Sequence, residues 1–259
     1  MENVKPFVKW AGGKGSLISQ LKNFYPFELE DGKIDKYVEP FVGGGAVLIN
    51  ILQQYDVKEA YAFDINKDLI NCYNTIKENV EDLIQELEIK EKEFLKLESE
   101  DRQKFFYDIR KEYNSYKLEE KHNVKRAAEF IFLNRTCFNG LYRVNKNGEF
   151  NVPCGKYKNP TICDAKNLRS LSKLIQNVRF EYGDYRKSSE YIDANTFVYF
   201  DPPYRPLSIT SGFTSYTKED FNDENQKDLA KYFKELDLKN AKLMLSNSNP
   251  KNTIIMGQR

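Results

Sequence analysis

Asp201-Pro202-Pro203-Tyr204 follows directly on a short run of β-branched and aromatic residues, Thr196-Phe197-Val198-Tyr199-Phe200. Successive prolines fix φ and remove N–H donors, so the backbone cannot continue a sheet ladder and must leave the strand in a rigid extended form. A carboxylate, carbonyl groups and an aromatic ring then gather at the carboxyl end of a strand, where open α/β sheets bind ligands. This set suits modification of a planar exocyclic amine. Asp201 and a carbonyl of the proline pair can accept its N–H bonds while the Tyr204 ring stacks on the base. A turn serving only chain geometry is the alternative.

A second set is Glu39-Pro40-Phe41-Val42-Gly43-Gly44-Gly45, between a predicted strand and a predicted helix. Glycines there let a ligand approach the backbone, and the helix N-terminus favours a negative group such as a carboxylate. Asp64 ends the next predicted strand, 21 residues beyond Gly43, the separation expected of a carboxylate that takes the ribose hydroxyls of a nucleoside. The pattern is not G-x-G-x-x-G, which disfavours NAD. A glycine turn with no ligand is the alternative. The third set, Phe7-Val8-Lys9-Trp10-Ala11-Gly12-Gly13-Lys14, holds the single Trp and lacks the G-x-x-x-x-G-K-[ST] of a P-loop.

The elements that must position these residues read as half of a doubly wound α/β sheet: strand 37–39, helix 46–54, strand 59–64. Residues 67–126 are charge-rich with apolar residues at helical spacing, including Val80/Leu83/Ile84/Leu87 and Phe105/Ile109/Tyr113/Tyr116, which predicts two or three amphipathic helices. A helix over 127–134 and a Gly-, Asn- and Pro-rich loop or hairpin over 136–160 follow. Strands are predicted at 178–182, 196–200 and 242–246, with a helix at 223–236. At 259 residues the chain can hold one large α/β domain with an inserted module.

Composition narrows the chemistry. Cys72, Cys137, Cys154 and Cys163 form no C-x-x-C pair, and His122 is the lone histidine, in a charged stretch that reads as a solvated helix. No metal is expected, and hydrolases of the Ser-His type are disfavoured. No run approaches the roughly 18 apolar residues of a membrane span and no signal-peptide core opens the chain, so a cytoplasmic location is expected. The formal net charge of +1 conceals a basic segment: residues 127–186 carry ten Lys and Arg against five Asp and Glu, leaving −4 for the remainder. Such a segment is what an anionic partner would need.

Together these motifs resemble the Dam-type, D12-class DNA adenine-N6 methyltransferases of the α-group order. The resemblance rests on K-W-A-G-G-K at 9–14, E-P-F-V-G-G-G at 39–45 and D-P-P-Y at 201–204. It rests equally on Leu133-Asn134-Arg135 through Asn139-Gly140-Leu141-Tyr142-Arg143 to Gly148-Glu149-Phe150-Asn151-Val152-Pro153. It implies a Rossmann-like S-adenosylmethionine-dependent sheet, residues 1–76 and 164–259, carrying an inserted helical and hairpin DNA-recognition domain at 77–163. The implied reaction flips an adenine out of duplex DNA, within GATC, and methylates its N6 without a metal. The implied catalytic residues are Asp201, Pro202 and Tyr204. Cofactor contacts are implied for Trp10, Ala11, Gly12, Gly13, Glu39, Pro40, Phe41, Gly43, Gly45, Asp64, Asp184, Tyr185 and Asp201. DNA recognition is implied for Lys14, Phe138, Asn139, Leu141, Arg143 and Pro153, with Arg143 on a guanine and Lys14 reaching a base of the site. A monomer acting on double-stranded DNA is expected. The family continues with a helix, further strands and an Arg-rich loop after 246–253, which residues 254–259 do not resemble. Missing C-terminal strands are therefore expected, and a catalytically impaired DNA-binding remnant is the competing reading.

Overall fold

The computed structural model describes residues 3–116, 123–204 and 221–247. His122 and the segment from 248 to 259, on which the expectation of missing strands bears, lie outside the described residues. Strands β1 (Lys36–Glu39), β2 (Glu59–Asp64), β3 (Val178–Tyr182), β4 (Thr196–Phe200) and β5 (Lys242–Leu245) form a sheet in the order β3-β2-β1-β4-β5. Every pairing is parallel.

All residues of β4 are buried, as a central parallel strand covered on both faces must be, so it reads as a continuous apolar run without alternation. Its side chains nevertheless part to opposite faces. Phe197 and Tyr199 join Tyr37 and Ala62 on one side, and Val198 and Phe200 join Val38 and Phe63 on the other. Helix α9 (Asp223–Asp237) covers the second face with Leu229, Tyr232 and Leu236. On the first face lie α3 (Ala46–Gln54), α4 (Lys67–Glu78) and α8 (Ala165–Leu174). The short helices α1 (Ile18–Leu21) and α2 (Phe27–Glu30) precede the sheet.

Between α4 and α8 the chain forms α5 (Val80–Lys96), α6 (Ser99–Ser115) and α7 (Val124–Thr136). Asn side chains cap the starts of α4, α7 and α9, with Asn66, Asn123 and Asn222 accepting backbone N–H groups, and Asp164 does the same for α8. The apolar core runs unbroken from the sheet into these helices, joining Leu48 and Tyr37 to Leu83, Phe106 and Phe132. Two elements differ from the sequence reading. Helix α8 was not anticipated, although Leu168 and Leu171 give it a buried face. In α6 the buried ring is Phe106, with Phe105 half-buried, because this helix packs against both α5 and α7 and both adjacent positions are covered.

One buried ion pair holds the helical part to the sheet-flanking helix. Arg126 on α7 donates from Nε to Asp68 Oδ1 at 2.6 Å and from a guanidinium nitrogen to Asp68 Oδ2 at 3.1 Å. It also donates to the Tyr113 and Tyr116 carbonyls at 2.7 and 2.8 Å, while Tyr113 Oη donates to Asp68 at 2.7 Å. Removing one partner strands a buried charge, which costs about 3–5 kcal/mol. Arg126→Ala is therefore expected to lower the unfolding free energy by about 3 kcal/mol or more in a denaturant titration. Asp68→Ala/Arg126→Ala, which leaves neither charge alone, should cost less than the sum of the single changes.

Candidate active site

The strand order reverses between β1 and β4, so their carboxyl ends diverge into turns on opposite sides and leave a crevice. Register sets what lines it. Val38 pairs with Val198, so Glu39 at the end of β1 lies near the end of β4, where Asp201 begins the D-P-P-Y turn. Asp64 closes β2 opposite Tyr182 of β3, which leads into Gly183-Asp184-Tyr185. Four chain segments far apart in sequence thus present their predicted residues at one edge of the sheet.

The turn after β1 is held tightly. Val42 N donates to the Phe63 carbonyl at 2.9 Å, and Gly43 N donates to Asp64 Oδ2 at 3.0 Å. Gly43 and Gly45 have φ of 47° and 71°, in the left-handed region where a side chain is strained. A Cβ on Gly45 would lie 2.4 Å from Tyr73 Oη, and one on Gly43 would lie 2.8 Å from the Trp10 ring. Tyr73 Oη itself donates to the Gly43 carbonyl at 2.9 Å. Pro40, Phe41, Gly43 and Gly45 therefore stand in one compact turn, with Trp10 of the 9–14 segment packed against it. Trp10 in turn stacks on Tyr142 at 5.6 Å between ring centroids, and the Gly13 amide donates to its carbonyl at 3.0 Å, closing the turn that contains Ala11 and Gly12.

Asp64 accepts from Gly43 N and from Asn66 N at 2.8 Å, and burial pushes its carboxyl up to about 6. Tyr185 is buried with its ring 5.4 Å from Phe41, whereas Asp184 is exposed and accepts from Arg186 N at 3.0 Å. A carboxylate beside a glycine turn, a pair of aromatic rings and a second carboxylate next to them suit the ribose and adenine of a nucleoside.

Asp201 has a different environment. Its Oδ2 accepts from Lys14 Nζ at 2.5 Å, and its Oδ1 accepts from Tyr204 Oη at 3.0 Å. Burial raises the Asp201 carboxyl, and the Lys14 contact opposes that shift. Lys14 is 6% exposed, donates also to the Gly12 carbonyl at 2.7 Å, and stands 4.9 Å from the Tyr204 ring centroid. Burial alone would lower its pKa, but contacts with Asp201 and Tyr204 outweigh this and hold it above the ordinary lysine value. Gln226 of α9 anchors the turn by donating to the Pro203 carbonyl at 3.2 Å.

The 136–160 segment is a loop with short bridges, Cys137 opposite Cys154 and Val144 opposite Phe150. It brings Phe138, Asn139, Leu141 and Pro153 together: Phe138 N donates to the Pro153 carbonyl at 2.9 Å, and Phe138 is 52% exposed. Arg143 donates from Nε to Asn151 Oδ1 at 2.7 Å across the same hairpin. Lys14 is not with this group. The lysine beside it is Lys9, exposed, whose Nζ donates to Tyr157 Oη at 3.3 Å. Asn134 makes that proximity possible: its buried amide accepts from Lys9 N and donates to the Lys9 and Gly140 carbonyls at 2.8 and 3.0 Å. Asn134 and Lys9 stand in the sequence motifs without a role and Tyr157 in none of them, since nothing in spacing joins positions 148 residues apart.

A parallel five-stranded sheet in this order, with these turns at its carboxyl edge, is that of a Rossmann-like fold. The family described as "D12 class N6 adenine-specific DNA methyltransferase" matches residues 10–256, and the chain belongs to it. The chain is 56% identical over 245 residues to the Type II methyltransferase M.MjaIII of Methanocaldococcus jannaschii, covering 95% of this chain and 84% of that protein. It is 40% identical over 249 residues to the Type II methyltransferase M1.LlaDCHI of Lactococcus lactis subsp. cremoris, covering 95% and 82%. It is 36% identical over 250 residues to the DNA adenine methylase of Escherichia coli, again covering 95% and 82%. Among the described residues no group of three or more His, Cys, Asp or Glu could hold a metal ion, and no helix is long and apolar enough to cross a membrane.

Glu39 yields a test of this electrostatic setting. It is 2% exposed, and its Oε2 accepts from Tyr37 Oη at 2.7 Å. Burial, with a contribution from the Asp201 charge, pushes its carboxyl up to about 8. The folded protein keeps this proton to about pH 8 whereas an ordinary glutamate releases it near 4.5, so stability falls as pH rises across that window. Melting temperatures of Glu39→Gln should show a shallower fall over the same range than those of the wild type.

Proposed function

We propose that the chain transfers a methyl group from S-adenosylmethionine to N6 of an adenine flipped out of duplex DNA, within GATC. The observation that carries this reading is the meeting of Asp201-Pro202-Pro203-Tyr204 with the β1 turn and Asp64 at the sheet's switch point. Trp10, Ala11, Gly12, Gly13, Glu39, Pro40, Phe41, Gly43 and Gly45 surround the methionine part of the cofactor, and Asp64 accepts from its ribose hydroxyls. Phe41, Asp184 and Tyr185 take its adenine. When bound, the cofactor supplies a methyl on a sulfonium with a neutral leaving group, so no metal is needed.

Asp201 and the Pro202 carbonyl accept the N–H bonds of the target amine while Tyr204 stacks on the base. These contacts draw the nitrogen lone pair out of conjugation and aim it at the methyl, and most of the acceleration is positioning and electrostatics. Residues 1–76 and 164–259 act as the catalytic part and 77–163 as the recognition part. Phe138, Asn139, Leu141, Arg143 and Pro153 face the duplex, with Lys9 beside them. The resemblance of 133–153 to GATC-specific enzymes supports that site, and the cytoplasm is the location such a substrate requires.

Asp201→Ala is expected to lose transfer of radiolabelled methyl to adenine-containing duplex by at least 100-fold, in keeping with loss of a charged transition-state contact. Its affinity for S-adenosylmethionine in calorimetry should remain close to that of the wild type, since the other cofactor contacts stay in place. Sequencing of DNA from cells expressing the chain, with detection of N6-methyladenine, should show modification at GATC. No methylated adenine above the vector control would reject the activity, and methylation at another sequence would reject the specificity.

A further inference from the structure

We propose that Lys14 is a placeholder for the target amine: its ammonium occupies the amine-accepting oxygen of Asp201 in the free protein and must be displaced when a base enters. This rests on the reading of Asp201 as the acceptor of the N6 amine. Lys14 Nζ and an exocyclic amine are both nitrogen donors, and Nζ holds Asp201 Oδ2 at 2.5 Å. The other carboxylate oxygen is engaged by Tyr204 Oη at 3.0 Å, and the ammonium stands 4.9 Å from the centroid of the ring on which the base would stack. One of the two acceptors of the incoming amine, Asp201, is therefore already occupied by a side chain of the protein itself.

The arrangement cannot persist during methyl transfer. The donor is a cation, and N6 acquires positive charge as the new C–N bond forms. An ammonium in contact with Asp201 cancels the negative charge that would stabilise both, in a buried setting where charge interactions are strong. Displacement is provided for locally. Lys14 has a second acceptor in the Gly12 carbonyl at 2.7 Å, which belongs to the same turn and can keep hold of the ammonium as Asp201 is released. Gly12 has φ of 75°, so the turn that presents this carbonyl is one only glycine adopts readily. An empty pocket thus carries no uncompensated carboxylate. Lys14 is a positioning residue in this scheme, acting on the base through Asp201.

The test compares two duplexes with an abasic site opposite the target position, one carrying adenine there and one carrying purine, which lacks the N6 amine. Dissociation constants are measured for wild type, Lys14→Met and Lys14→Arg, with melting temperatures to confirm folding. Should Lys14→Met not fold, Lys14→Gln takes its place. With the competitor removed, the preference for adenine over purine is expected to rise roughly tenfold in Lys14→Met, the scale of one charge-assisted hydrogen bond. Lys14→Arg, which keeps a cation at the site, should restore a preference near that of the wild type. A purely structural role for Lys14 would weaken both duplexes alike, and an unchanged ratio in a folded Lys14→Met would overturn the proposal. Failure of the underlying reading is separable: wild-type protein would then transfer no methyl to the adenine duplex and show no preference between the two.

Discussion

Parallel pairing of β1 with β4 is the constraint on which the rest depends. These strands lie about 160 residues apart in the chain, and their register of Lys36 with Thr196 through Val38 with Val198 puts the Glu39 turn and the Asp201 turn side by side. A parallel pair cannot be closed by a hairpin, so the intervening chain must cross over. That crossover is where α4 to α8 and the 136–160 hairpin sit. The same pairing therefore creates the crevice and places the basic segment next to it.

Charge inside that crevice is managed by pairing and by protonation. Asp201 is neutralised by Lys14, Asp64 by backbone N–H donors, and Glu39 by keeping its proton, each a different answer to the same cost of burying a carboxylate. Asp68 with Arg126 shows the architectural version of such pairing, tying α7 to α4.

A buried amide joins the hairpin to the 9–14 segment. Asn134 near the end of α7 holds both the Lys9 backbone and the Gly140 carbonyl, so the 9–14 segment and the base of the hairpin are fixed to one side chain. A Cβ on Gly140 would come within 2.4 Å of the Lys9 side chain, which explains the glycine at the point of closest approach. Trp10 continues the seam by stacking on Tyr142 of the hairpin while bordering the turn at Gly43.

Much was legible in the residues alone. The bounds of α3, β2, β3 and β4 coincide with the sequence reading, because each is a short apolar or alternating run bounded by a strong breaker: the glycine turn, Asp64, Gly183 and the paired prolines. The D-P-P-Y and glycine motifs were visible for the same reason, since both are backbone-dictated and local. The face of α6, the existence of α8, and the contacts of Lys9 and Lys14 were not. Lys14 carries the same charge in any conformation. Whether it reaches outward or turns 187 residues along the chain to Asp201 depends on the crevice formed by β1 and β4, which only the tertiary structure supplies. Local sequence determined the turns and their chemistry, whereas strand order decided which of those turns meet, because parallel pairing is a long-range choice that no window of residues encodes.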